Sequence, residues 1–146
     1  DDRIPIVIGV LNGSFLFLAD IVRKLDIEYE VDFIKISSYA NSKTSSGTVR
    51  LLKDISADIT GRDIILIEDI VDTGLSLNFL KKRFEDAAPR SLAFVTLLHK
   101  PHTSKIDFKI DYIGFEIGDE FVVGYGLDYK QKLRGLPSIY TLNEDK

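Results

Sequence analysis

Residues 64–76 constrain the fold more than any other stretch. Ile64-Ile65-Leu66-Ile67 is an unbroken apolar run that ends in two adjacent carboxylates, Glu68 and Asp69, with a third, Asp72, three positions on. Thr73-Gly74-Leu75-Ser76 then forms a turn, and Leu77, Leu80 and Phe84 recur beyond it at helical spacing. A β-branched run without alternation predicts a strand buried on both faces, as in a parallel sheet. The first-turn amides of the following helix lack intrahelical partners and lie at the positive end of its dipole, so residues 72–76 suit a phosphate. Thr73 and Ser76 add hydroxyl donors, and Gly74 lets the backbone approach an anion closely. Carboxylates beside a phosphate seat make chemical sense when the ligand also carries hydroxyls or a divalent cation. A phosphorylated sugar bound with magnesium meets both demands.

The remaining segments fit an α/β domain. Residues 4–10 form a second apolar run, ending at the turn Leu11-Asn12-Gly13-Ser14. Phe15, Leu18, Ala19, Val22 and Leu25 then mark one face of a helix, with Asn12 or Ser14 as its N-cap. Residues 30–37 alternate as a strand near an edge, and residues 49–52 are its antiparallel partner. The polar, aperiodic segment between them reads as a connecting loop or a lid. The helix after Ser76 stops near Pro89, and residues 92–98 form the next buried strand. Shorter strands are expected at 111–115, 121–124 and 137–142. His99 and His102 lie three apart without a cysteine or an evident acidic partner, a weak metal signal. Strands alternating with helices predict a central parallel sheet whose ligands sit beyond the carboxyl ends of its strands. Residues 11–13, 68–76 and Lys100 all fall at such ends.

At 146 residues the chain is expected to be a single domain, 1–146, and no apolar run approaches the roughly 18–20 residues of a membrane span. A formal net charge of −4 argues against a general nucleic-acid surface. No export signal is visible, so a cytoplasmic location is expected, and the lack of cysteine excludes disulfides. Methionine is also absent, which suggests a start inside a longer protein.

Glu68-Asp69-Ile70-Val71-Asp72-Thr73-Gly74-Leu75-Ser76 resembles the phosphoribosyl-pyrophosphate signature of type I phosphoribosyltransferases. The Glu-Asp pair, with the later run Val122-Val123-Gly124-Tyr125-Gly126-Leu127-Asp128-Tyr129, resembles the hypoxanthine–guanine branch of that family. The likeness extends from about Gly9 to about Tyr140. It implies a mainly parallel sheet flanked by helices, a flexible antiparallel lid hairpin and a small purine-binding hood. It also implies family residues before the first strand that this chain lacks.

The resemblance further implies a reaction. The phosphoribosyl group passes from phosphoribosyl pyrophosphate to N9 of hypoxanthine or guanine, giving IMP or GMP and pyrophosphate. Glu68 and Asp69 hold the ribose hydroxyls and, with Asp128, the magnesium. Asp72, Thr73, Gly74, Leu75 and Ser76 hold the 5′-phosphate, and Asp72 is the general base for purine N7. Leu11, Asn12, Gly13 and Arg134 receive pyrophosphate, with Asn12 standing where many relatives have lysine. Ser38 and Tyr39 match the Ser-Tyr pair of the lid. Lys100 reads the 6-oxo group, Phe121 stacks on the purine, Val122 reads its remaining edge by backbone, and Asp128 completes this end. A homodimer or homotetramer is expected. The alternative from another class is a non-catalytic regulator that retains the sugar-phosphate site; Asp72, Lys100 and Asp128, which such a protein is free to lose, are all present. A receiver domain lacks a well-placed acceptor aspartate here, and Gly124-Tyr125-Gly126 lacks the third glycine of a dinucleotide fingerprint.

Overall fold

The computed structural model describes residues 3–39 and 47–143. Six strands form one sheet: β1 (Ile6–Leu11), β2 (Glu30–Tyr39), β3 (Thr48–Lys53), β4 (Asp63–Val71), β5 (Ser91–His99) and β6 (Tyr112–Glu116). Their order is β3-β2-β1-β4-β5-β6, parallel from β2 to β6, with β3 as the antiparallel edge. Two helices, α1 (Phe15–Val22) and α2 (Leu75–Glu85), follow β1 and β4. A separate two-stranded antiparallel sheet pairs β7 (Val122–Val123) with β8 (Tyr140–Thr141). This is the expected mainly parallel α/β architecture, with β2 one place from the edge.

The pleat explains why β1 and β4 are apolar throughout. Ile6, Ile8 and Val10 of β1, with Ile64 and Leu66 of β4, pack with Leu77, Leu80 and Phe84 of α2. The intervening Val7 and Ile67 pack instead with Leu18 of α1, flanked by Phe17, Ile21 and Val22. Successive residues thus serve opposite layers, which is the requirement of a sheet covered on both faces. A third cluster, Leu97, Leu98 and Leu127 with Val122 and Ile139 around it, fastens the small sheet to the carboxyl end of β5.

Several boundaries differ from the sequence reading. Helix α1 ends at Val22, three residues short of Leu25, because Lys24 and Leu25 donate to carbonyls three positions back and tighten the last turn. Leu25 still packs against the α1 layer. Ser14 occupies the N-cap position but supplies no side-chain cap; its hydroxyl donates back to the Val10 carbonyl at 2.6 Å. The strands expected at 121–124 and 137–142 shrink to two residues each. Positive φ at Gly124 and Tyr125 turns the chain out of the ladder immediately after Val123. Of the candidate lid, Ser38 and the backbone of Tyr39 belong to β2, while residues 40–46 lie outside the described residues.

Candidate active site

Parallel strands deliver their carboxyl ends to one rim, and a cleft of about 500 Å³ opens there. Its walls come from Leu11, Asn12 and Gly13 after β1, from residues 68–77 at the end of β4 and start of α2, from Ile36 and Ser38 of β2, and from Asp128 and Arg134. The sugar-phosphate and pyrophosphate candidates named from sequence therefore share one cavity.

Close backbone approach builds the floor. A Cβ on Gly13 would lie 1.8 Å from Asp69 Oδ2, so only glycine admits the Asp69 carboxylate against this loop. A Cβ on Gly126, whose φ is +99°, would meet the Gly13 carbonyl at 2.2 Å. The 11–13 loop is thereby held between β4 and the 124–134 segment. The Leu11–Asn12 peptide is cis.

Glu68 is buried, Asp69 beside it is partly buried at the cleft wall, and the two share a side-chain hydrogen bond. Burial, then the Asp69 charge, pushes the Glu68 carboxyl well above the usual carboxylate range. Burial also raises Asp69, against the lowering effect of the Ile70 amide, which donates to its Oδ1 at 2.8 Å. Two carboxyls confined together favour a shared proton until a cation or a hydroxyl donor arrives.

The candidate anion seat is at the start of α2. Its N-cap is Gly74 in the left-handed region at φ +87°, with no side-chain cap bond of its own; the Leu75 amide donates to Thr73 Oγ1 at a long 3.4 Å, a contact that an anion can replace. Asp72, two residues before that cap, does not cap this helix. Its carboxylate instead accepts a hydrogen bond from Thr103 Oγ1 at 2.7 Å and stands 3.5 Å from Lys100 Nζ. The 100–105 loop is bound to the backbone on both sides of Asp72: Lys100 N donates to Val71 O at 2.9 Å and Lys105 N to Thr73 O at 2.8 Å.

The purine candidates are only partly gathered. Lys100, nearly buried, stands beside Asp72. Phe121 is not a core residue but half exposed, edge-on to Tyr129 with ring centroids 6.0 Å apart. Val122 pairs with Thr141 and lines a second hollow with Glu116, Glu120 and Tyr140, away from the main cleft. Asp128 and Arg134 form one constellation: Asp128 Oδ2 accepts from Gln131 N at 2.7 Å, and Arg134 Nη2 lies 3.6 Å from Asp128 Oδ1.

The phosphoribosyl transferase domain model matches residues 1–130. A hypoxanthine-guanine phosphoribosyltransferase from Bacillus subtilis (strain 168) is 48% identical over 97% of this chain and 78% of the relative. The chain belongs to the hypoxanthine–guanine phosphoribosyltransferase family. A hypoxanthine phosphoribosyltransferase of Escherichia coli (strain K12) is 43% identical over 92% of this chain and 75% of that relative. The crystal structure of a hypoxanthine-guanine phosphoribosyltransferase from Bacillus anthracis, with a HEPES molecule in its active site, superposes with a TM-score of 0.91 at 47% identity. That match covers 98% of this chain and 84% of the other.

As a phosphoribosyltransferase site, the cleft fits magnesium in one manner only. Among the described residues no group of three or more His, Asp or Glu side chains could hold a metal ion. Magnesium, however, keeps several waters and takes one or two carboxylates plus substrate phosphates, rather than an all-protein cage. Glu68, Asp69 and Asp128, all lining the cleft, supply that donor chemistry. His99, read from sequence as lacking an acidic partner, has Glu116 Oε1 3.8 Å from its Nδ1 because β6 lies alongside β5.

Sequence reasoning missed two residues around this candidate site. Thr103 looked like ordinary loop, and its only signal was its place three residues after Lys100. Tyr125 looked like part of a glycine turn, yet its hydroxyl donates to Asp20 of α1 in a short hydrogen bond. Burial first, and then Asp20, push the Tyr125 phenol up to about 12. A raised folded value means the contribution is fully present below the ordinary phenol range near 10 and fades as pH rises through about 12. Tyr125→Phe should lower stability at neutral pH by about 1–2 kcal/mol, the lower part of the range for a hydrogen bond to a charged group because the Asp20 carboxylate is half exposed, as measured by urea unfolding.

Proposed function

We propose that this domain, residues 1–146, transfers the 5-phosphoribosyl group from phosphoribosyl pyrophosphate to N9 of a 6-oxopurine, hypoxanthine or guanine, in purine salvage. The products are IMP or GMP and pyrophosphate. One observation carries the choice of purine: Lys100 Nζ and Asp72 Oδ2 lie side by side, 3.5 Å apart. A 6-oxopurine with its proton on N7 presents a complementary pair on one edge, the O6 acceptor beside the N7–H donor. Lys100 donates to O6, Asp72 accepts from N7, and adenine is rejected because its 6-amino group is a donor facing a donor.

The rest of the cleft serves the sugar. The first-turn amides of α2, with the Thr73 and Ser76 hydroxyls and the close approach at Gly74 and Leu75, hold the 5′-phosphate. Asp69 and Glu68 accept hydrogen bonds from the ribose hydroxyls, and their negative charge favours the cationic ring that develops as the C1–oxygen bond breaks. Leu11, Asn12 and Gly13 present backbone groups to pyrophosphate, and Arg134 adds a guanidinium fork. Glu68, Asp69 and Asp128 offer the carboxylates that would hold magnesium, one or two of them together with the substrate's phosphates, and the ion would neutralise the charge of the leaving pyrophosphate. As N9 attacks C1, Asp72 takes the N7 proton. Phe121, exposed and braced edge-on by Tyr129, supplies a stacking face, and the Val122 backbone reads the far edge of the base. Ser38, which lines the cleft, and Tyr39 after it would help exclude water from the reactive sugar.

No helix among the described residues is long and apolar enough to cross a membrane. With small-molecule substrates and no nucleic-acid or membrane partner, we place the enzyme in the cytoplasm as a homodimer or homotetramer. The test is direct: purified protein, phosphoribosyl pyrophosphate and magnesium are incubated with each purine base separately. Nucleotide should form with hypoxanthine or guanine and not with adenine, and no product with any 6-oxopurine overturns the proposal. Lys100→Met should cut kcat/KM for the preferred 6-oxopurine ~10²-fold and narrow its margin over adenine, because a buried donor is what discriminates the two. Unchanged discrimination would place purine reading elsewhere.

A further inference from the structure

We propose that Thr103 is a positioning residue for the proton-accepting carboxylate, an inference that rests on Asp72 being the general base. Thr103 Oγ1 has three acceptors in reach: Asp72 Oδ1 at 2.7 Å, Asp72 O at 3.2 Å and Lys100 O at 3.4 Å. A hydroxyl has one proton to give, and the short, charge-assisted contact to the carboxylate takes it. That bond fixes the rotation of the carboxylate and engages Oδ1. Oδ2 is left 3.5 Å from Lys100 Nζ, on the side where the purine edge must lie.

Asp72 needs such a constraint. Its side chain is half exposed, and the helix it precedes is capped by Gly74, so no cap bond restrains it. A free carboxylate would rotate about its terminal torsion, a broad and shallow profile, and would present either oxygen or neither. Thr103 is itself held firmly. The backbone bonds from Lys100 N to Val71 O and from Lys105 N to Thr73 O clamp its loop on both sides of Asp72. The hydroxyl is thus delivered by rigid backbone, and removing it changes the orientation of the base without changing the base. General-base catalysis depends on placing the acceptor within hydrogen-bond reach of its proton, so the loss falls on turnover.

Thr103→Val, isosteric but without the hydroxyl, should lower single-turnover kcat ~10–100-fold, the size expected for one hydrogen bond to a charged group. KM for phosphoribosyl pyrophosphate should move less than about threefold, because the phosphate and pyrophosphate seats do not involve this loop's side chain. Thr103→Ser, which restores the hydroxyl, should recover most of the rate. The decisive measurement places Thr103→Val in an Asp72→Asn background: a residue that acts only through the carboxylate costs little further there. If Asp72→Asn itself kept its turnover, the general-base reading would fall. If Asp72→Asn lost its rate while Thr103→Val kept full turnover, the positioning role alone would fall. An equal loss in both backgrounds, or no recovery with serine, would also overturn it.

Discussion

Asp72→Asn is expected to retain the fold and the affinity for phosphoribosyl pyrophosphate while losing ~10²–10⁴-fold in the chemical step, the usual worth of a general base. The structural basis for a retained fold is specific. Asp72 does not cap α2, so no cap is lost. The asparagine carbonyl can still accept from Thr103 Oγ1, which now donates to Asp72 Oδ1. What disappears is the charge 3.5 Å from Lys100 Nζ. Because the Asp72 side chain is half exposed, removing that charge should cost about 1 kcal/mol, well below the loss of a fully buried pair. The amides of the phosphate seat belong to the backbone and survive, so donor affinity should hardly move. Single-turnover rates and calorimetric titration of the donor separate the two quantities. A variant that keeps most of its rate removes Asp72 from proton transfer, and one that binds the donor much more weakly shows that the carboxylate serves the sugar phosphate instead.

Gly13→Ala should damage the ribosyl-donor site severely. Its Cβ would lie 1.8 Å from Asp69 Oδ2 and 2.7 Å from Asp69 Cγ. The carboxylate can retreat only toward the cleft and only by giving up its bonds: its other oxygen accepts from Ile70 N, and Glu68 is packed beside it. Nor can the loop move outward freely, since the Gly13 carbonyl is already in close contact with Gly126. The strain must divide between the carboxylate and the 11–13 backbone. Overpacking of this kind costs about 1–3 kcal/mol in stability. A displacement near 1 Å at reacting groups costs ~10²-fold in rate, so kcat/KM for phosphoribosyl pyrophosphate should fall at least that far. Steady-state kinetics on a variant shown to be folded by circular dichroism decide the matter. Near-normal kcat/KM would mean that neither Asp69 nor the 11–13 backbone is positioned for the ribosyl donor.

The architecture was legible because its signals are local. An unbroken apolar run, such as Ile64 to Ile67, announces a strand covered on both faces, and its residues do divide between the two helix layers. The polar turns after β1 and β4 then place residues 11–13 and 68–76 at one rim of the sheet by topology alone. What could not be read is everything decided by contacts distant in sequence. Phe121 could have been core or surface, and only its packing against Tyr129 in a short, strongly turned hood leaves it half exposed. The cap of α2 falls on Gly74 and not on a polar side chain, a choice set by the left-handed turn there. Thr103 and Tyr125 carry no motif, since their significance comes from Asp72, 31 residues away, and Asp20, 105 residues away.

The clamp of the 100–105 loop on residues 71–73 also bears on how such a protein can change in evolution. The lysine assigned to the 6-oxo group and the carboxylate assigned to N7 are neighbours on segments joined by two backbone hydrogen bonds and one hydroxyl. A substitution at Lys100 that welcomes a 6-amino base also strips the carboxylate of its cation, so the same mutation alters base preference and proton removal together. Drift toward adenine must then pass through a slow intermediate or change both loops at once. New base preferences should accordingly arise more readily at Phe121 or around Val122, in a hood that is bound to the sheet through apolar packing and carries no part of the proton-accepting apparatus.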